Sequence, residues 1–155
     1  MTTTERLGMK RFRELAPGVY QALSALGREA VEAGFDKELI ELVKLRASQL
    51  NGCAYCLQYH LNLARGLDME PAKLDLLSAW REVALYTPRE RTALALTEAL
   101  TRVTDGPPTQ ELYDEALAAF GETGLAQLVA MIGTINLWNR IGATFNFAPP
   151  IKAKA

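Results

Sequence analysis

Apolar side chains recur along this chain at helical spacing, and polar or glycine breaks separate the runs. From Val19 to Ala33, the residues Leu23, Leu26, Ala30 and Ala33 share one face, and Gly34 follows as a stop. Asp36 is placed to cap a helix over Lys37–Leu50. Within it, Leu39, Ile40, Leu42, Val43 and Leu45 leave only Glu41 and Lys44 polar between 39 and 45, which predicts burial on most sides. Asn51-Gly52 interrupts, and the next helix runs from Cys53 to Arg65 with Asn51 or Gly52 as its N-cap and Gly66 at its end. Asp68 and Pro71 predict a helix over Glu70–Arg81. Thr87-Pro88-Arg89-Glu90 is the clearest start signal, a capping box with proline at the first helical position, and that helix reaches Arg102. Thr104 to Pro108 is a loop, Thr109–Phe120 a helix closed by Gly121, and Gly124–Phe145 the last helix, striped by Leu125, Leu128, Val129, Ile132 and Ile135. No segment alternates as a strand. Only the loop at 106–108 could divide the chain, and about 50 residues beyond it make a poor independent core. The expectation is a single all-α domain of about six to eight helices.

Composition agrees. Alanine and leucine number 23 and 24, against 6 valines and 5 isoleucines. Unbranched side chains lose little rotamer freedom in a helix. A net charge of −1 and a pI near 5.9 give no nucleic-acid or anionic-membrane footprint, so neither partner is expected. No uninterrupted apolar run approaches the roughly 20 residues of a membrane span. The opening Met1-Thr2-Thr3-Thr4-Glu5-Arg6 leads into charge, so a secretory signal is not expected. Two cysteines in 155 residues are not a disulfide scaffold, and a reducing, cytoplasmic setting is the expectation. Lys152 and Lys154 form an ordinary basic tail.

Chemistry concentrates in Asn51-Gly52-Cys53-Ala54-Tyr55-Cys56-Leu57-Gln58-Tyr59-His60, where both cysteines and the one histidine of the chain fall together. On a helix, Cys56 lies about 300° round from Cys53 and His60 about 40° beyond Cys56, so the three share a face. Both sulfurs fall in the first turn, where free N–H groups and the helix dipole favour thiolate. His60 can take a thiol proton or stabilise the anion. Two thiols three residues apart can close a disulfide once one is oxidised, which completes a redox cycle. Taken singly, each of these residues is more simply a packing residue; together they favour redox chemistry. Zinc would need a fourth ligand and no second Cys/His pair exists, so no metal is expected. Haem attachment requires a histidine directly after the second cysteine, and a thioredoxin-type motif requires a preceding strand. Glu41 either pairs with Lys44 three residues on or lines a pocket, where burial would suit it to proton transfer. Periodicity alone favours the ion pair or the surface.

The run Glu41-Leu42-Val43-Lys44-Leu45-Arg46-Ala47-Ser48-Gln49-Leu50-Asn51-Gly52-Cys53-Ala54-Tyr55-Cys56, followed by His60, resembles the core of the alkylhydroperoxidase D-like (AhpD-like) proteins of the carboxymuconolactone decarboxylase superfamily. The likeness continues through Ala79-Trp80-Arg81-Glu82, Glu90 to Thr101, and Asn136-Leu137-Trp138-Asn139-Arg140. It implies a core over 36–145; a helical segment over 1–35 is expected to pack on that core, and 146–155 to form a frayed tail. It also implies an all-helical, cofactor-independent homo-oligomer, a trimer or hexamer, with thiol peroxidase activity toward hydrogen peroxide or small organic hydroperoxides. Carried over by position, Cys56 is the attacking thiol, Cys53 the proton donor and resolving thiol, His60 the relay base and Glu41 the acid behind it. An external dithiol restores the pair. One departure stands out: Tyr55 occupies the place where peroxidase members carry a second histidine, and a phenol with a pKa near 10 relays protons poorly at neutral pH. Two other readings stay open, a decarboxylase-like enzyme that uses His60 and Glu41, and a non-catalytic redox-sensing oligomer.

Asn136, Asn139 and Arg140 lie on or near the last apolar stripe. Packing between helices is the favoured reading for them, with a place near Glu41 as the alternative. Trp80, Trp138, Phe145 and Phe147 read as core or subunit interface.

Overall fold

The computed structural model describes residues 6–151, so the opening segment up to Glu5 and the basic tail with Lys152 and Lys154 lie outside the described residues. The helices are α1 (Met9–Leu15), α2 (Pro17–Glu32), α3 (Lys37–Leu50), α4 (Ala54–Gly66), α5 (Pro71–Asp75), a 3-10 helix (Leu77–Glu82), α6 (Pro88–Thr101), a 3-10 turn (Val103–Asp105) and α7 (Gln110–Phe145). No strand occurs among the described residues.

α3 is the axis of the fold. Leu39, Ile40, Leu42, Val43 and Leu45 are all at most 3% exposed, as the dense apolar run predicts. Its two sides serve two apolar clusters. Ile40 and Val43 pack with Leu96 of α6 and with Leu128 and Ile132 of α7. Leu42 and Leu45 pack with Leu77, Trp80 and Leu94. A third, smaller cluster joins Ala47, Cys53, Cys56 and Ile135 where α3, α4 and α7 meet. Truncating a leucine this enclosed to alanine costs about 2–5 kcal/mol.

The capped starts fall where the side chains place them. Leu39 N–H donates to Asp36 Oδ1 at 3.0 Å. Thr87 and Glu90 close a reciprocal box, with Glu90 N–H to Thr87 Oγ1 at 3.2 Å and Thr87 N–H to Glu90 Oε2 at 2.7 Å.

Four local expectations are corrected. A short helix, α1, precedes the α2 stripe, and α2 starts at Pro17 because proline is suited to the first turn. On α2, Leu23 and Ala30 face inward but Leu26 is 48% exposed; on α7, Val129 is likewise 42% exposed beside its buried stripe. The single helix expected over Glu70–Arg81 is two pieces, and Asp68 does not cap it: Asp68 sits at φ +55 just after the C-cap of α4, and Glu70 is the N-cap. Leu77 and Trp80 are both buried and three residues apart, a spacing that three residues per turn brings directly into line. Finally, the break before the last helix is confined to Gly121, whose φ of 68 and ψ of 174 only glycine adopts readily.

By length and composition α7 could cross a membrane, with mean hydropathy 1.4 over its most apolar window. One face of it is core, with Leu128, Ile132 and Ile135 at most 2% exposed, while 28% of that window as a whole is buried. Of the segments flanking the core, Phe12 of α1 packs on Trp138, Phe145 and Phe147. Of the tail expected to fray, residues 146–151 are described. Phe147 in it is buried, and Asn62 Nδ2 donates to Pro150 O at 2.8 Å.

Candidate active site

The turn from α3 into α4 sets the sulfur geometry. Gly52 takes φ +63, a left-handed conformation open to glycine, and Cys53 N–H donates to Ser48 O at 3.2 Å. Neither Asn51 nor Gly52 is the N-cap of α4; Cys53 is, and its Sγ accepts from Cys56 N–H at 3.2 Å. A sulfur thus fills the capping place that an oxygen usually takes, at the positive end of the helix. Cys53 and Cys56 are joined as a disulfide, with Cα atoms 5.4 Å apart. Cys53 is 2% exposed and Cys56 4%.

α7 closes over the pair. Cys56 Sγ lies 3.7 Å from the carbonyl oxygen of Trp138. One turn on, Gly142 leaves no room for a side chain: a Cβ there would stand 2.8 Å from Cys53 Sγ and 3.3 Å from Cys56 Sγ. The bridge can be this enclosed because α7 presents bare backbone to it.

A cavity of about 480 Å3 opens on the other side, bounded by residues of α1, α2, α3, α4 and α7. Cys56 and His60 line it, one helical turn apart; Cys53 and Glu41 do not. Of the two cysteines, Cys56 is therefore the one on the cavity wall.

Glu41 stands behind His60, with Oε2 2.7 Å from Nδ1 and both side chains buried. The ion pair with Lys44 that periodicity favours is not formed: the carboxylate turns inward to the imidazole, because α4 packs directly on this face of α3. Burial lowers the His60 pKa below its ordinary 6.5, and the hydrogen bond and charge of Glu41 only partly oppose this. The ring is accordingly neutral near pH 7. With Nδ1–H donated to the carboxylate, Nε2 is free to accept a proton. Lys44 is half-buried and lines the cavity. Burial lowers its pKa, with Glu41 acting against the shift. Tyr55, which also lines the cavity, has its pKa raised by burial and so stays protonated at neutral pH. Among the described residues no group of three or more His, Cys, Asp or Glu side chains is gathered to hold a metal.

The α7 amides brace the site without lining it. Asn51 Nδ2 donates to Asn136 Oδ1 and Asn139 Oδ1, both at 2.9 Å, and Asn139 Nδ2 donates to Ser48 Oγ at 3.0 Å. Arg140 donates to the Asn136 carbonyl at 3.0 Å. These bonds fasten the α3–α4 turn, and with it the sulfurs, to α7. Trp80 is core, whereas Trp138 is half-buried with part of its surface on the cavity. Sequence reasoning missed Gly142, Lys44 and the cavity's Arg13 and Arg28. A helical glycine and isolated surface cations carry no local signal of what docks against them.

The chain matches the carboxymuconolactone decarboxylase family over residues 17–99, which includes Glu41, both cysteines and His60, and it belongs to that family. Its fold is the AhpD-like one. A protein of unknown function from Agrobacterium tumefaciens, proposed to be the antioxidant defence protein AhpD, superposes with a TM-score of 0.89 at 30% identity. That match covers 96% of this chain and 100% of the other. The uncharacterized protein YdfG of Bacillus subtilis (strain 168) is 32% identical over 84% of this chain and 88% of its own. The debrominase Bmp8, solved with 2,3,4-tribromopyrrole, shares the fold at 22% identity and a TM-score of 0.74, over 88% of this chain and 72% of its own.

Proposed function

We propose that this protein is a thiol-dependent peroxidase that reduces hydrogen peroxide or small organic hydroperoxides through the Cys53–Cys56 pair. In the reduced enzyme, Nε2 of His60 takes the Cys56 proton, and Glu41 steadies the resulting imidazolium. The Cys56 thiolate attacks the distal peroxide oxygen. The O–O bond breaks, the alkoxide leaves with the proton that His60 returns, and Cys56 becomes a sulfenic acid. The Cys53 thiol then attacks that sulfur; the S–S bond forms and water departs. An external dithiol supplies two electrons and two protons to restore both thiols.

One observation supports this above the others: of two sulfurs in bonding contact, the one on the cavity shares it with an imidazole backed by a buried carboxylate. The test is turnover of hydrogen peroxide and cumene hydroperoxide with dithiothreitol as reductant. Cys56→Ser is expected to abolish it, and Cys53→Ser to stop at a sulfenic acid on Cys56 that dimedone labels. Turnover that survives Cys56→Ser would refute the reading and favour a role for His60 and Glu41 alone. A setting that re-reduces the pair, as the cytoplasm does, fits this cycle. Assembly as a homo-oligomer is part of the proposal: Leu26 and Val31 of α2 and Val129 and Leu137 of α7 are each more than 40% exposed. Sedimentation is expected to find no monomer.

A further inference from the structure

We propose that the cavity over Cys56 selects hydroperoxides that carry a negative charge on an apolar, ring-sized body, and that Arg13, Arg28 and Lys44 supply the selection. This rests on the peroxidase reading and names the substrate class for the same site.

The cavity wall is electrostatically one-sided. Arg13 of α1, Arg28 of α2 and Lys44 of α3 line it, and no aspartate or glutamate does. Some cations elsewhere have carboxylate partners, as Arg46 and Arg81 do with Glu98 and Lys73 with Glu90, while others, such as Arg91 and Arg140, donate to backbone carbonyls. None of the three cavity cations forms an ion pair among the described residues. Arg13 is instead held over the ring of Tyr20, 4.5 Å from its centroid, which orients the guanidinium and leaves its charge uncompensated.

Depth and size sharpen the inference. Arg13 and Arg28 are exposed at the mouth, whereas Lys44 is half-buried and its charge acts on His60. Between them the wall is largely apolar, with the faces of Tyr55, Tyr59 and Trp138. A volume of about 480 Å3 is that of a small-molecule pocket, far more than hydrogen peroxide fills. A hydroperoxide that reaches Cys56 with its O–O group therefore lays its body on the aromatic wall and its far end at the arginines. Two charges at the mouth of an apolar-walled cavity raise the local concentration of an anion, by about tenfold at low ionic strength.

The experiment compares cumene hydroperoxide with its para-carboxylate analogue, identical at the reacting end. In the wild-type protein, kcat/KM for the carboxylate is expected to exceed that for cumene hydroperoxide by about tenfold at low salt. The ratio is expected to collapse toward one at high salt and in the Arg13→Gln/Arg28→Gln variant. Because it is taken within one protein, damage common to both substrates cancels. A ratio near one in the wild type, or one that survives the double substitution, overturns the proposal. Calorimetry with 4-isopropylbenzoate gives a readout without turnover: binding to the wild type, and about tenfold weaker binding to the variant. A protein that binds the benzoate in this way but turns over no hydroperoxide keeps the anion site and refutes the peroxidase reading. One that turns over cumene hydroperoxide with no charge preference and no benzoate binding refutes this inference alone.

Discussion

Glu41 and Glu98 are buried almost equally, at 6% and 7% exposure, and each lies on a central helix. Their partners differ. Glu98 accepts from Arg46 Nε at 2.7 Å and Trp80 Nε1 at 2.9 Å, and it pairs with Arg81 as well. Burial alone would push its pKa up; these hydrogen bonds outweigh that and hold it below the ordinary 4.5. No partner of Glu98 can give up a proton near neutrality, so its charge is fixed and its work is structural. Glu41 has a different kind of partner, an imidazole 2.7 Å away that can be neutral or charged. On the proposed function, the contrast means that burial alone does not make a carboxylate functional. What matters is whether its neighbour can exchange a proton and whether that neighbour reaches a cavity.

The sharpest way to break this contrast is to remove each carboxylate. Glu98→Ala strands the guanidinium of Arg46 beside the second apolar cluster. The expected loss is about 3–5 kcal/mol of stability, read from the urea midpoint, with the specific activity of the folded fraction close to wild type. Glu41→Gln is expected to do the opposite. Glutamine can still accept from His60, so the midpoint moves little, while kcat for peroxide falls about a hundredfold. The acidic limb of its pH–rate profile is expected to move to lower pH, because the charge that raises the imidazole pKa is gone. A Glu41 variant that unfolds as Glu98→Ala does, with activity intact in what remains, would make the two carboxylates equivalent.

Gly142→Ala probes the sulfurs from the other side. A Cβ at 2.8 Å from Cys53 Sγ must push the bridge or α7 aside. Overpacking of this kind costs about 1–3 kcal/mol, here borne by the oxidised form. The disulfide is expected to be easier to reduce by that amount, measured by equilibration against dithiothreitol. An unchanged redox equilibrium would mean that α7 yields freely at this point.

Most of the helical frame was legible because its signals are local. The Thr87–Glu90 box, the Asp36 cap and the packed face of α3 are each written within one turn or one helix. The Cys53, Cys56 and His60 spacing was legible for the same reason. Glu41 was not: periodicity placed it with Lys44, and only the likeness to a known family pointed it toward His60. Which helix faces which is a property of docking, and a stripe reports its own helix alone. That is why Leu26 was misplaced, why Gly142 and Arg28 were invisible, and why Glu98 could not be told from any other helical glutamate. The 3-10 segment at Leu77–Glu82 failed for a related reason, since its tryptophan is drawn to a carboxylate on α6 that no local pattern records.

The smallest expected effect separates the two centres by pH. Unfolded, His60 titrates near 6.5; folded, its pKa is lower, so the unfolded chain binds the extra proton first as pH falls. Its contribution to stability is complete above pH 6.5 and is lost as pH drops through the folded value, by at most about 1.4 kcal/mol per pH unit. Glu98 has the same sign in a different window. Its contribution is present above 4.5 and is lost as pH falls through its depressed folded value. Because His60 is the chain's one histidine, no second imidazole blurs the upper window. Urea midpoints of the oxidised protein at successive pH values are therefore expected to decline in two stages. His60→Gln should flatten the stage just below 6.5 and leave the acid stage intact, while Glu98→Gln should do the reverse. If one substitution erased both stages, the two buried carboxylates would be a single coupled network, and the division of labour between a fixed charge and a movable proton would fail.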